Sequence, residues 1–355
     1  MTIVRALVLS GGAGTRLHPF SHTTPKQLMP IANEPVLFHA LRAIRALGIE
    51  KTGIIVSSPA IREAVGEGAL FDMEITYLPQ DKPLGLAHCV LLAREFLADD
   101  DFLMYLGDNV FIGGSADPSA EFQRNRPAAQ LVLTKVSNPS EWGIAEIDHR
   151  GRVLGLEEKP TNPRSDLAVT GAYFFTPAIH EAVRHVQPSW RGELEITDAL
   201  QWLVAQGREV HAQTYGGHWR DTGTTADLLD CNTLLLSELT TRIDGTIDSA
   251  TEITEPVIVE AGASVRQSVL RGPAIIAAGA SVEDSQVGPF TVIGKDCALR
   301  DAAVENSILL DRSSVHGVRS ISGSIIGRAG QVRMSQGWPS AHRLLVGDNS
   351  VIELS

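Results

Sequence analysis

Between Ile276 and Val304 single aliphatic residues return with an even step. Val282, Val287, Ile293, Leu299 and Val304 follow at gaps of 6, 5, 6, 6 and 5, and Val315, Ile321, Ile326 and Val332 resume the pattern. Neither the 3.6-residue period of a helix nor the two-residue period of a long strand gives that spacing. A near-hexad of aliphatics with small residues around the corners is the pattern of a β-helix solenoid, three short rungs to a triangular coil. Three hexads give roughly 18 residues per coil, hence about four coils between Pro256 and Val332. An irregular antiparallel β domain with glycine turns is the weaker alternative. Residues 240–255 are polar and aperiodic and read as a connector. Residues 333–355 have lost the repeat and read as a capping tail, with Leu344-Leu345-Val346 and Val351-Ile352 as candidate strands.

Residues 1–239 have a different texture. Short β-rich runs alternate with amphipathic helical patterns, the mark of an α/β domain with a mixed, mainly parallel sheet. Asn33 as N-cap and Pro35 in the first turn open a helix whose apolar face is Leu37, Leu41, Ile44 and Leu47, ended by Gly48. Gly85 to Leu97 predicts another, with Cys89, Leu92 and Phe96 on one face. Phe102 to Leu106 is a continuous apolar strand that stops at Gly107-Asp108-Asn109. In open α/β sheets ligands gather at the carboxyl ends of strands, so Asp108 is either placed for a metal ion or simply begins a turn.

The first strand breaks at Ser10 into Gly11, Gly12 and Gly14, followed by Arg16 and, ten residues later, Lys26. Glycines after a strand let backbone N–H groups approach phosphate oxygens, and the two cations complete a polyphosphate site. No lysine stands where a Walker loop requires one. Leu17 and Pro19 exclude a dinucleotide fingerprint.

GGAGTRL followed by KQL, then PLGLAH, LGDN, EWGIAEID, EEKP, AVTGAYFF, RGELEITDAL and WRDTGT, resembles the sugar-phosphate nucleotidyltransferases across residues 3–235. The Lys26-Gln27-Leu28 form is similar to the glucose-1-phosphate thymidylyltransferase branch. The C-terminal repeat resembles the left-handed β-helix of that family's longer members. The resemblance implies a Rossmann-like nucleotidyltransferase fold and transfer of a thymidylyl group from dTTP to glucose 1-phosphate, releasing pyrophosphate. It also implies dependence on Mg2+, held by Asp108 and Asp221, and a place at the start of a deoxysugar pathway. By the same resemblance Leu9, Gly11, Gly12, Gly14 and Thr15 cradle the nucleotide, and Arg16 and Lys26 hold the β- and γ-phosphates. Gln80 and Gly85 read the base. Lys159 grips the sugar phosphate, and Asn109, Gly143, Glu158 and Val169 surround the glucose. Trp142 and Trp219 shape the pocket or pack the core. His88 stands where short members carry glutamine.

A net charge of −12 opposes non-specific nucleic-acid binding. Three scattered cysteines, Cys89, Cys231 and Cys297, make neither a disulfide framework nor a zinc site and fit a reducing cytoplasm. No apolar run approaches a membrane span. His18 and His22, separated by Pro19, do not share a helical face. No Ser-His-Asp constellation is present, and none is needed, because a phosphate monoester with a second pKa of about 6 is already an ionised nucleophile. Rival readings are uridylyl or other nucleotidyl transfer, a bifunctional enzyme with an acetyltransferase site around His316, and a degenerate sugar-nucleotide sensor. A homo-oligomer built on the solenoid is expected.

Overall fold

The computed structural model describes residues 3–12, 14–114, 118–334 and 349–353. The chain divides into two compact units, residues 1–13 with 36–221, and residues 14–35 with 222–355.

In the first unit the strands are β1 (Arg5–Ser10), β2 (Lys51–Val56), β3 (Glu74–Pro79), β4 (Phe102–Leu106), β5 (Asn109–Ile112), β6 (Ala129–Lys135), β7 (Gly143–Ile147), β8 (Val153–Glu158), β9 (Leu167–Phe175), β10 (Val210–Thr214) and β11 (His218–Asp221). Nine form one sheet in the order β8-β7-β9-β4-β1-β2-β3, with β6 on β9 and β10 on β6; β5 and β11 make a separate ribbon. β4, β1, β2 and β3 are parallel. The near-continuous apolar runs of β4 and β1 suit strands covered on both faces. β9 turns the sheet mixed by running antiparallel to β4, β6 and β7. The parallel strands end together, with Ser10 beside Val56, Val56 beside Pro79 and Leu9 beside Leu106.

One face of the sheet buries Leu7, Leu9, Phe102, Met104, Leu131 and Phe175 against the helix Ile196–Ala205 and against Val90, Ala93 and Leu97. Each such side chain is worth about 1.5–3 kcal/mol when fully buried. Leu37, Leu41 and Ile44 are buried as their spacing predicts, whereas Leu47 lies past the end of the helix Val36–Ala46 and is exposed. The expected helix after Gly85 is broken at Ala93 into Leu86–Leu92 and Arg94–Leu97. Cys89, Val90, Ala93 and Leu97 form its buried stripe, which turns Leu92 outward.

The second unit contains three parallel sheets of six, six and five strands, in keeping with a left-handed β-helix. Val257 pairs with Ala274 and Ala274 with Thr291, a step of 17 residues per coil where three full hexads suggest 18. In these coils one side of the triangle is a residue shorter, which the gaps of 6, 5 and 6 already encode; from Ile293 to Leu309 the step falls to 16. Ile276, Val282, Val287, Ile293, Leu299, Val304 and Val315 line the interior, with Ile321, Ile326 and Val332 partly buried at the far end. Corners carry residues of left-handed backbone, and not only small ones: Gln267, Asp284 and Asp301 at φ 47–49°, Phe290 at 58°, Arg312 at 62°. Inside, Ser268 Oγ accepts from Ser285 N and Ser285 Oγ from Ala302 N, each 17 residues on.

The strands Arg242–Ile243, Thr246–Ile247 and Glu252–Thr254 pair with the next coil, so residues 240–255 already make the solenoid's first turn. Leu344-Leu345-Val346 lies outside the described residues. Val351 and Ile352 form no strand and are exposed. His316 is exposed, in register between Arg300 and Arg333. Residues 14–35 add three short 3-10 turns and the ribbon Pro30–Ile31 with Glu34–Pro35. Asn33 does not cap a helix. Its φ is 67°, in the turn of that ribbon, and the helix begins at Val36. His18 and His22 sit on different turns, yet their rings stack at 3.9 Å. Among the described residues no helix is long and apolar enough to cross a membrane.

Candidate active site

Three groups of expected site residues lie in the first unit. The first is at the carboxyl edge of β1 and β3. Leu9 is buried in β1, and Gly11 follows it. Any Cβ at Gly11 would overlap Gln80 Oε1. Gln80 is buried, and its Nε2 faces Cys89 Sγ at 3.3 Å and His88 Nδ1 at 3.4 Å. The amide therefore turns its acceptor oxygen toward the glycine backbone. Gly85 has φ 104°, and a Cβ there would stand 2.6 Å from Leu194 N. Leu194 N donates to Leu84 O and Ala87 N to Leu194 O, so the GLAH and ELEIT segments lock together around it. Burial pushes the Cys89 thiol up to about 12. It should stay unalkylated in native enzyme at pH 8, as mass spectrometry after brief iodoacetamide treatment would check; rapid labelling would refute its core role.

The second group surrounds Asp108 and Asp221. Gly107 N donates to Leu9 O at 2.9 Å, and the chain turns through buried Asp108 into β5. Asn109 Nδ2 donates to Asp108 Oδ1 at 3.0 Å, and Trp219 Nε1 donates to Asn109 Oδ1 at 2.6 Å. Asn109 pairs in register with Asp221, the last residue of β11. Gly171 leaves the room that Asn109 fills; a Cβ there would be 2.5 Å from its Cγ. Trp142 meets Trp219 edge to face at 5.0 Å, so the tryptophans brace this corner. Among the described residues no three or more His, Cys, Asp or Glu side chains form a metal-holding group. Two carboxylates are too few for a closed cage but suit magnesium, which keeps water and substrate oxygens.

The third group is at the β7–β8 hairpin, where Gly143 stands opposite Glu158. A Cβ at Gly143 would lie 2.9 Å from Glu158 Oε2, which accepts from Thr197 Oγ1 at 3.2 Å. Of the two adjacent acids Glu158 is the one drawn in, while Glu157 is exposed. Lys159 N donates to Trp142 O at 3.0 Å, with Lys159 at φ 45°. Val169 is buried in β9 beside Ala168, which pairs with Ile144. Arg191 was missed, although it opens the RGELEITDAL motif. Its Nη1 lies 3.5 Å from Glu158 Oε1 and 3.4 Å from Glu195 Oε1, and Nη2 is 3.2 Å from Glu193 Oε1. Burial first, then the Glu195 charge, pushes the Glu158 carboxyl above the usual range; burial does the same to Glu195.

Gly12 follows Gly11 in the first unit, whereas Gly14, Thr15, Arg16 and Lys26 belong to the second. Gly14 is left-handed at φ 64°, and a Cβ on it would stand 2.9 Å from Lys26 Cβ. Thr15 and Arg16 form a 3-10 turn closed by Leu17 N on Gly14 O. Gly14 and Lys26 are thus packed together.

The nucleotidyl transferase family profile matches residues 5–238. A glucose-1-phosphate thymidylyltransferase of Streptomyces griseus is 52 % identical over 99 % of this chain and 100 % of its own length. One from Streptomyces antibioticus is 52 % identical over 99 % of both chains. A Bacillus anthracis crystal structure, described as a glucose-1-phosphate thymidylyltransferase in complex with a sucrose, superposes with a TM-score of 0.60 at 33 % identity, over 65 % of this chain and 94 % of that one. The chain belongs to the nucleotidyl transferase family and groups within it with the glucose-1-phosphate thymidylyltransferases.

Proposed function

We propose that the chain transfers a thymidylyl group from dTTP to glucose 1-phosphate. The observation that carries this reading is the 52 % identity with enzymes so named over essentially the whole chain, solenoid included. An oxygen of the sugar phosphate attacks the α-phosphorus. The new P–O bond forms as the bond to the bridging oxygen breaks, and pyrophosphate leaves with the electron pair. The attacking phosphate is already ionised near neutral pH, so positioning and positive charge supply the catalysis.

Glu158 accepts hydrogen bonds from glucose hydroxyls, Gly143 leaves the sugar room, and Lys159 neutralises the sugar phosphate. Asn109 and Val169 complete that wall. Gln80 Oε1 accepts the N3–H of the pyrimidine beside Gly85, an edge that thymine and uracil share. Leu9, Gly11, Gly12, Gly14 and Thr15 give the nucleotide its backbone cradle, and Arg16 and Lys26 stabilise the departing pyrophosphate as a fork and a point charge. Asp108 and Asp221 would hold Mg2+, which when bound neutralises phosphate oxygens. Exposed His316, between two arginines, offers an acetyltransferase site no support.

Pyrophosphate release with glucose 1-phosphate and magnesium, compared across dTTP, UTP, ATP and GTP, tests the proposal. dTTP should exceed UTP in kcat/KM by roughly tenfold, the worth of one methyl contact, with the purines far below both. Preference for UTP or a purine nucleotide would overturn it.

A further inference from the structure

The segment 14–35, which carries Arg16 and Lys26, is fastened to the solenoid at points far apart in sequence. Arg328 Nη1, in the last described coil, donates to Thr24 Oγ1 at 2.5 Å across 304 residues. Beside it the Phe20 ring lies 3.6 Å from where a Cβ on Gly327 would stand. At the other end of the segment Ala32 N donates to Asn232 Oδ1 at 2.9 Å, and Asn232 Nδ2 donates to Phe290 O at 3.2 Å. Asn232 is fully buried, so both ends of its amide are committed to this junction. Ala32 packs with Leu236, Ile275 and Val292.

Between these anchors the chain is short and stiff. Thr24 is itself buried, Pro25 fixes its own φ, and Lys26 follows. Lys26 in turn packs against Gly14, whose carbonyl accepts from Ser21 Oγ at 2.7 Å. A displacement at Thr24 is therefore passed to the lysine stem and on to Gly14. Arg328 donates a charge-assisted bond to a buried hydroxyl, the stronger kind of single hydrogen bond.

We infer that Arg328 is a positioning residue for the triphosphate. Through Thr24 it fixes the backbone that aims Lys26, which makes the end of the solenoid part of the nucleotide-binding apparatus. The inference rests on the reading above that Lys26 holds the β- and γ-phosphates.

The test uses the full-length protein with Arg328→Ala, Arg328→Lys, Thr24→Val and the Arg328→Ala/Thr24→Val double variant. The readouts are KM for each substrate, inhibition by pyrophosphate, and the thermal unfolding midpoint. Arg328→Ala should raise KM for dTTP and the pyrophosphate inhibition constant by roughly tenfold, the loss of one charged hydrogen bond, with KM for glucose 1-phosphate unchanged. Arg328→Lys should recover most of that, and Thr24→Val should match Arg328→Ala with no further loss in the double variant. A merely structural contact would lower the unfolding midpoint and move both KM values together, or leave all of them still; either result overturns the inference, as do additive losses in the double variant. Lys26→Ala in parallel separates two failures. If it leaves dTTP and pyrophosphate binding unmoved, the assignment of Lys26 falls and the role of Arg328 with it. If it weakens both while Arg328→Ala does not, only the role of Arg328 falls.

Discussion

Asp108→Asn is expected to cut pyrophosphate release by a factor on the order of 10³ or more while the protein stays folded. The substitution keeps the shape of the side chain and an oxygen able to accept from Asn109 Nδ2, so the turn out of β4 and the start of β5 have no reason to move. What it removes is one of the two formal negative charges that would hold Mg2+ under the proposed function. An amide oxygen is a far poorer partner for a hard cation than a carboxylate, and the substrate's own phosphates cannot replace the missing ligand without leaving their reactive position. Asp221→Asn, on the strand paired with Asn109, should behave alike, and the two together should cost little more than either alone if both hold the one proposed metal ion. Circular dichroism and the unfolding midpoint check the fold; a magnesium titration of the rate checks the cause. Wild-type turnover by Asp108→Asn at ordinary magnesium would remove the residue from the metal role.

How far such a site can be read from sequence depends on whether a contact is local. The strand-then-glycine break at Ser10, the apolar strand ending at Asp108 and the aliphatic rhythm from Ile276 are properties of neighbouring residues, and all three reappear in the fold. The coil length was encoded as well, since gaps of 6, 5 and 6 close a 17-residue turn; only rounding each side to a hexad hid it. Element ends fared worse. Asn33 has the chemistry of an N-cap, but its left-handed turn and the pairing of Glu34–Pro35 with Pro30–Ile31 delay the helix to Val36. Leu92 fits a helical stripe that the break at Ala93 and the neighbouring stripe through Val90 and Leu97 displace. Least legible were side chains that acquire meaning only when remote segments meet. Asn232 holding Ala32, Arg328 holding Thr24, and Arg191 among three carboxylates have no periodicity or local motif to announce them.

Arg191→Ala should lower kcat/KM for glucose 1-phosphate by roughly a hundredfold, because the loss exposes a set of like charges as well as removing a charged hydrogen bond. The guanidinium reaches Glu158, Glu193 and Glu195 with two nitrogens, and Glu195 is almost wholly buried. Arg191→Lys should recover little, since a single ammonium cannot reproduce a fork between three partners. The loss should fall on the sugar side, with KM for glucose 1-phosphate rising and KM for dTTP nearly unchanged. Stability carries a sign that can be checked independently. Burial already raises the Glu158 and Glu195 carboxyls in the folded protein, and the nearby arginine opposes that rise. Without it the native state holds protons that the unfolded chain gives up near the ordinary carboxylate value, so stability must fall as pH climbs from there through the raised native value. The unfolding midpoint of Arg191→Ala should therefore lie further below wild type at pH 8 than at pH 5. An equal deficit at both would mean that the arginine contributes packing alone, and that the sugar-binding role proposed for Glu158 does not depend on the charge beside it.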